Sequence, residues 1–182
     1  SIIIFIALMQ AQAMKKSTAE TILDALSRVE RVLTTVGFIA MTLILFADVV
    51  AREITDSGLI TARQYGVYAN ILVVMFGLGI ASSQDAHLRP RFIDNVLPET
   101  FKEATKRLKE AVTAAFAAGC TVLSTWITLE SFQLKEISAL TGNYIAPFMA
   151  IMPAGFAFMA LRHSLYAFWP DLAPEAEVGA TK

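Results

Sequence analysis

Four long runs of apolar residues constrain this chain more than any other feature of its sequence. They cover residues 32–51, 64–84, 111–129 and about 144–163, and Asp48 is the only acidic residue within them. A helix rises about 1.5 Å per residue, so roughly 20 residues are needed to cross the apolar core of a membrane. The sequence therefore predicts an all-α integral membrane protein with four transmembrane helices.

The overall composition supports this prediction and excludes several classes of function. Charged residues make up 17% of the 182-residue chain, whereas soluble domains carry roughly 25%. The formal net charge is −1, which gives no indication of a nucleic-acid partner. The single cysteine, Cys120, excludes an intrachain disulfide and the paired thiols of a membrane disulfide oxidoreductase.

The distribution of lysine and arginine predicts the orientation of the four spans. Twelve basic residues lie before the first span, between the second and third, or at and after the end of the fourth. Three lie on the opposite side, namely Arg52, Arg63 and Lys135. Basic residues concentrate in cytoplasmic segments. We therefore predict that both termini and residues 85–110 face the cytoplasm.

The chain divides into one membrane domain with short flanking segments. Residues 1–13 are interpreted as a leader or an upstream extension, residues 14–170 as the membrane domain, and residues 171–182 as a cytoplasmic tail. Within the domain, residues 17–33 and 98–112 carry an apolar stripe opposite polar residues. This pattern is typical of amphipathic helices at a membrane surface, and a helical extension of each span into water is the alternative.

His87 lies in a charged stretch after the second span and is a candidate for metal binding or catalysis. A zinc site needs three or four ligands, and a catalytic histidine needs a partner in defined geometry. The neighbouring residues supply neither, so we interpret His87 as a surface residue of a cytoplasmic loop. The other histidine, His163, is placed beyond the fourth span, which also disfavours a haem site. We predict no catalytic residue, metal site or cofactor, and no enzymatic activity.

Asp48 is the only acidic residue within the four apolar runs, and an ionisable residue inside a span is a functional candidate. Arg52 follows four residues later, and this spacing places the two side chains on one helix face near the outer end of the span. Two hypotheses follow: Asp48 forms an ion pair at the helix end, or it couples transport to protons or Na⁺.

Three short motifs follow one another along the spans. The first comes after the second span, the second precedes a basic amphipathic segment, and the third lies in the fourth span, where Pro153 should bend the helix. Their residues are His87, Leu88 and Arg89; Leu97 and Pro98; and Pro147, Pro153 and Gly155. With this order of elements the chain resembles the small membrane subunit, the Q or DctQ type, of tripartite ATP-independent periplasmic (TRAP) transporters.

The resemblance covers roughly residues 17–168 and has departures. Arg91 stands where the family typically has an aspartate, and Pro90 stands where it has a valine. The acidic pair often found ahead of the second span is replaced by "TARQYG". These departures bear on which subfamily the chain resembles rather than on its resemblance to the family.

The resemblance implies a function that the apolar pattern alone does not indicate. It implies a scaffold subunit in the bacterial inner membrane that supports a large permease subunit. Uptake would be symport of a small solute, often an organic acid, coupled to an ion gradient and dependent on a periplasmic binding protein. Membrane lipid is a further partner. The binding protein would dock on the outer segments, whose polar candidates are Arg52, Arg63, Lys135 and Asn143.

Two other classes of function stay open on the sequence. One is a self-sufficient small transporter, a dimer that uses Asp48 for proton coupling. The other is a structural protein with four spans and no role in transport.

Overall fold

The computed structural model describes residues 2–83 and 99–174, with side chains for residues 16–83 and 104–174. This part of the chain is helical apart from its connecting loops and one isolated β-bridge between Ile137 and Tyr144. The helices are α1 (Ile2–Thr55), α2 (Ala62–Ser83), α3 (Glu99–Gln133), α4 (Ala146–Met149) and α5 (Ile151–Phe168), followed by a 3₁₀ turn at Pro170–Leu172.

Four helical segments among the described residues are long and apolar enough to cross a membrane. These segments are Lys16–Thr55, Ala62–Ser83, Ala104–Gln133 and Ala146–Phe168. The prediction of an all-α membrane protein with four spanning helices is confirmed.

The two amphipathic segments are helical, and each continues directly into a span. Helix α1 is a single helix of 54 residues, about 80 Å long, because residues 2–36 contain neither glycine nor proline. Helix α3 likewise runs through 35 residues without a proline. The sequence leaves open whether these segments are surface helices or helical extensions of the spans. In the structure each segment and its span form one continuous helix, as the second interpretation expects.

The long helices pack as two antiparallel hairpins that lie side by side. Helix α1 packs on α2, and α3 packs on α5, while α2 and α5 meet between the two hairpins. The order across the molecule is therefore α1, α2, α5, α3. The outer helices expose many large apolar side chains, such as Phe46 and Phe116. The described helices form an open row rather than a closed bundle, because α1 packs mainly on α2, α3 packs mainly on α5, and α1 and α3 make little contact with each other.

Close packing between α2 and α5 depends on Gly155. A Cβ atom at this position would lie 2.8 Å from Cβ of Met75 on α2, so a larger residue would push the helices apart. Nearby, the rings of Phe76 and Phe158 meet edge to face with centroids 5.5 Å apart.

The two prolines of the fourth span have different effects. Pro147 lies in the first turn of α4, where its missing N–H costs no helical hydrogen bond. Pro153 cannot donate to the carbonyl of Met149, and the helix is interrupted at Ala150 between α4 and α5. The interruption lies one turn before Pro153, as expected for a bend that this residue causes.

Candidate functional site

Two consecutive residues near the end of α5 connect all four long helices. Successive residues of a helix point about 100° apart, so Arg162 and His163 face different neighbours. Arg162 bonds to α1 and α2, whereas His163 bonds to α2 and α3. We call the set that they organise the buried polar cluster: Glu30, Ser82, Glu110, Arg162 and His163.

Arg162 forms the first half of the cluster. Its guanidinium is fully buried and pairs with the carboxylate of Glu30, which is only 1% exposed. It also donates to the backbone carbonyl of Gly79 and, at 3.3 Å, to Oγ of Ser27. A Cβ atom at Gly79 would overlap the Glu30 carboxylate, so glycine is needed there for α1 and α2 to approach. Among the described residues, Nε of Arg162 has no hydrogen-bond partner.

His163 forms the second half of the cluster and is 6% exposed. Its Nδ1 lies 2.5 Å from Oε2 of Glu110, and its Nε2 lies 2.9 Å from Oγ of Ser82. The other oxygen of Glu110, Oε1, lies 3.5 Å from Nζ of Lys109. Because a serine hydroxyl can donate or accept, both ring nitrogens stay bonded whether the imidazole is neutral or protonated.

The energetic consequence of the cluster is a fixed arrangement of the helices. A buried charge that loses its partner destabilises a protein by about 3–5 kcal/mol. Sliding or rotating α1 or α3 against α5 would separate Glu30 from Arg162 or Glu110 from His163. The cluster therefore favours one register of the four helices at this end of the molecule.

The connection Ser82–His163–Glu110 has the order of a serine–histidine–acid triad, but its serine is buried within a helix. Ser82 is 5% exposed and lies inside α2, where its backbone N–H belongs to the helix. A triad also needs free donors that face the developing oxyanion. We interpret the connection as structural, since it joins α2, α5 and α3.

Asp48 lies near the opposite end of the helices and is fully engaged. Its Oδ2 accepts a hydrogen bond of 2.6 Å from Arg52, and its Oδ1 accepts one of 2.6 Å from the backbone N–H of Leu59. A Cβ atom at Gly58 would lie 2.7 Å from Oδ1, so the turn closes tightly over the carboxylate. The ion pair expected from the i, i+4 spacing is confirmed, and the same carboxylate also fixes the turn between α1 and α2.

The loop between α3 and α4 is held against the start of α2. Ser138 Oγ bonds to Oε1 of Gln64 at 2.8 Å, and Asn143 Nδ2 donates to the hydroxyl of Tyr65 at 2.6 Å. The ring of Tyr68 stacks on Phe148, with centroids 4.0 Å apart. These contacts give the loop a defined shape at the same end of the molecule as Asp48.

The predicted site residues fall into three groups. The candidates for the outer docking surface lie together at the Asp48 end, and all four are exposed: Arg52, Arg63, Lys135 and Asn143. The motif residues of the fourth span, Pro147, Pro153 and Gly155, shape that helix as described above. The other motif residues lie outside the described part of the chain: His87, Leu88, Arg89, Leu97 and Pro98.

The placement of His163 beyond the fourth span is wrong. It lies within α5, inside the helical segment Ala146–Phe168, and it is buried by contacts with α2 and α3. Arg162 was counted as a flanking charge, yet it is enclosed by α1 and α2. Asp48 is the only acidic residue within the four apolar runs, but the helices that contain these runs extend beyond them and include Glu30 and Glu110.

The sequence carries a signal for the cluster that composition alone does not reveal. On α1, Glu30 shares a buried stripe with Leu26 and Gly37, at helical spacings of four and seven residues. On α3, Glu110 precedes the buried residues Ala114 and Ala117 in the same way. A carboxylate on the apolar stripe of an amphipathic helix indicates a buried partner from elsewhere in the chain.

Metal binding gains no support from the arrangement of side chains. Within the described ranges, no three histidine, cysteine or acidic residues come together as a metal site would require. The fold and the cluster thus define a polytopic α-helical membrane protein whose buried polar residues hold its helices together.

Comparison with known families gives the class of transporter. The family described as "Tripartite ATP-independent periplasmic transporters, DctQ component" matches residues 41–173, well over half of the chain. The chain therefore belongs to the DctQ family of small membrane subunits of TRAP transporters, and it is a multi-pass inner-membrane protein. The match includes Glu110, Arg162 and His163 but begins after Glu30. No curated protein matches the sequence.

Proposed function

We propose that this chain is a static scaffold for the large membrane subunit of its transporter. The large subunit carries a small solute, an organic acid in our proposal, together with a coupling ion, and a periplasmic binding protein delivers the solute. The buried polar cluster is the observation that supports this proposal most strongly. It joins all four long helices through Arg162 and His163, an arrangement suited to a rigid support.

The acidic groups of the long helices that are buried or half-buried support the same proposal. In the described part of the chain, the carboxylates of Glu30, Asp48 and Glu110 each bond to a basic residue of the same chain. A carrier for a solute or an ion usually presents several free polar groups near the middle of the membrane. The proton-coupled alternative that uses Asp48 receives less support, because both oxygens of that carboxylate are already bonded.

The proposed orientation follows the positive-inside rule. The termini and the polar cluster lie at the cytoplasmic end, and the turn fixed by Asp48 lies at the periplasmic end. Arg52, Arg63, Lys135 and Asn143 then face the periplasm, where the binding protein docks through polar and transient contacts. The exposed apolar flanks of α1 and α3 contact the large subunit and lipid.

Reconstitution tests the scaffold role directly. Proteoliposomes are prepared with this chain alone, with the large subunit alone, and with both, each in the presence of the binding protein and an ion gradient. We expect solute uptake only when both membrane subunits are present. Uptake by this chain alone, or full uptake by the large subunit without it, would contradict the proposal.

A further inference from the structure

A cavity of about 300 Å³ opens between α3 and α5, beside the buried polar cluster. Helix α3 contributes Lys106, Lys109 and Thr113 to its lining, and α5 contributes Met159 and Tyr166. On α3 the last charged residues of the amphipathic segment give way here to the uncharged run that begins at residue 111. The cavity therefore lies where the helix passes from charged to apolar sequence, the level of lipid headgroups in a membrane.

The lining carries an excess of positive charge. Among the described residues of the lining, the one carboxylate is Glu110, which is already engaged by Lys109 at 3.5 Å and by His163 at 2.5 Å. Lys106 forms no ion pair with any residue whose side chain is described. Two ammonium groups thus face one carboxylate that is already paired, which favours an anionic ligand.

Tyr166 adds an unused hydrogen-bond donor. The residue is 5% exposed and lines the cavity, and its hydroxyl forms no hydrogen bond with the described residues. Its oxygen is not fully enclosed by the described residues, and the residue lines the cavity. A buried tyrosine hydroxyl ordinarily has a partner. This one is available to a ligand.

An apolar surface continues from the cavity along α3. Phe116 follows Lys109 by seven residues and Thr113 by three, so all three side chains lie on one face of the helix. Phe116 is 69% exposed. A ligand with an anionic head and a hydrocarbon tail would contact both parts of this face, whereas a free anion would use only the cavity.

We propose that this cavity binds the phosphate of an anionic phospholipid. Lys106 and Lys109 neutralise the phosphate, Tyr166 donates a hydrogen bond to it, and an acyl chain lies along Phe116. Basic pockets between spanning helices on the cytoplasmic side bind anionic lipid headgroups in this way. The inference is independent of the scaffold role, since it depends only on membrane insertion and on the lining of the cavity.

Native mass spectrometry of the full chain in complex with its large subunit tests the proposal. The probes are phosphatidylglycerol, phosphatidylcholine and inorganic phosphate. We expect one phosphatidylglycerol to bind in preference to phosphatidylcholine. Lys106→Gln should weaken its binding about fivefold, and Tyr166→Phe should weaken it severalfold. Lys135→Gln removes an exposed lysine at the opposite end of the molecule and should leave binding unchanged.

Three results would overturn the proposal. The first is equal binding of the two lipids by the wild-type complex. The second is unchanged phosphatidylglycerol binding in both Lys106→Gln and Tyr166→Phe. The third is displacement of the lipid by an equal concentration of inorganic phosphate, which would assign the cavity to free phosphate instead. Both variants should fold, because neither change removes a bond to a described residue.

Discussion

At the scale of single residues, the pair of Arg162 and Glu30 should dominate the stability of the fold. Arg162→Met leaves the Glu30 carboxylate buried without its partner, and we expect a loss of about 3–5 kcal/mol in the free energy of unfolding. The double variant Arg162→Met/Glu30→Met removes both charges and should recover most of that loss. Denaturation of the purified chain in detergent, followed by circular dichroism, measures both values.

The exposed pair of Arg28 and Asp24 provides a matched control for this experiment. It is an arginine–carboxylate pair as well, but its partners lie four residues apart on α1 and their side chains are 76% and 61% exposed. Arg28→Met should therefore change stability by less than about 1 kcal/mol. Equal losses of stability in Arg28→Met and Arg162→Met would show that burial does not determine how much the pair of Arg162 and Glu30 contributes to stability.

Asp48→Asn tests whether this residue has a role beyond structure. The amide oxygen of asparagine can still accept the hydrogen bond from the N–H of Leu59, while the attraction to Arg52 is lost. We expect a loss of less than about 1 kcal/mol in stability. Uptake by the assembled complex in proteoliposomes should persist with the same ion dependence. Loss of ion coupling in a complex that assembles normally would instead support the proton-coupled alternative.

At the scale of helices, local spacing predicts much of what the structure contains. Run length indicates four spans, and the interval of four residues between Asp48 and Arg52 gives their ion pair. The buried polar cluster is different, because Glu30 and Arg162 are 132 residues apart and Glu110 and His163 are 53 apart. Helical periodicity describes each helix by itself and carries no information about which helices pack together, so these pairs were missed.

The packing of α2 against α5 leads to a prediction about two glycines. Gly155→Ala places a Cβ atom 2.8 Å from Met75, and we expect a loss of about 1–3 kcal/mol in stability. Gly119→Ala on α3 is the matched control, because no atom lies within 4 Å of its added Cβ. It should be neutral or slightly stabilising, since alanine favours helix more than glycine does. Thermal melting of the isolated chain measures the stability of both variants. Equal effects of Gly155→Ala and Gly119→Ala would contradict tight packing at Gly155.

At the scale of the whole molecule, orientation in the membrane is open to a direct test. The charge distribution predicts that the loop between α3 and α4 faces the periplasm. A cysteine introduced at the exposed position Ala139, with Cys120 replaced by alanine, should react with a membrane-impermeant maleimide added to intact cells whose outer membrane is permeabilised. Labelling only after the inner membrane is opened would place this loop in the cytoplasm and contradict the predicted topology.

The open row of helices fits the proposed role of this chain as a support. Its central helices, α2 and α5, are tied to the flanking helices by the buried polar cluster, while α1 and α3 expose apolar faces outward. A rigid centre combined with wide apolar flanks suits a subunit that holds a larger membrane protein in place. The central claim is therefore that the arrangement of these helices does not change during transport.

Distances between spin labels on α1 and α3 test that claim most directly. Labels are attached to cysteines at the exposed positions Arg31 and Thr105, in a chain whose Cys120 is replaced by alanine. The complete transporter is then measured by pulsed dipolar spectroscopy without solute, with the loaded binding protein, and during turnover. We expect one distance distribution whose centre shifts by less than about 2 Å among the three conditions, because separating α1 or α3 from α5 would break buried ion pairs. A second distance that appears only during turnover would contradict the static scaffold.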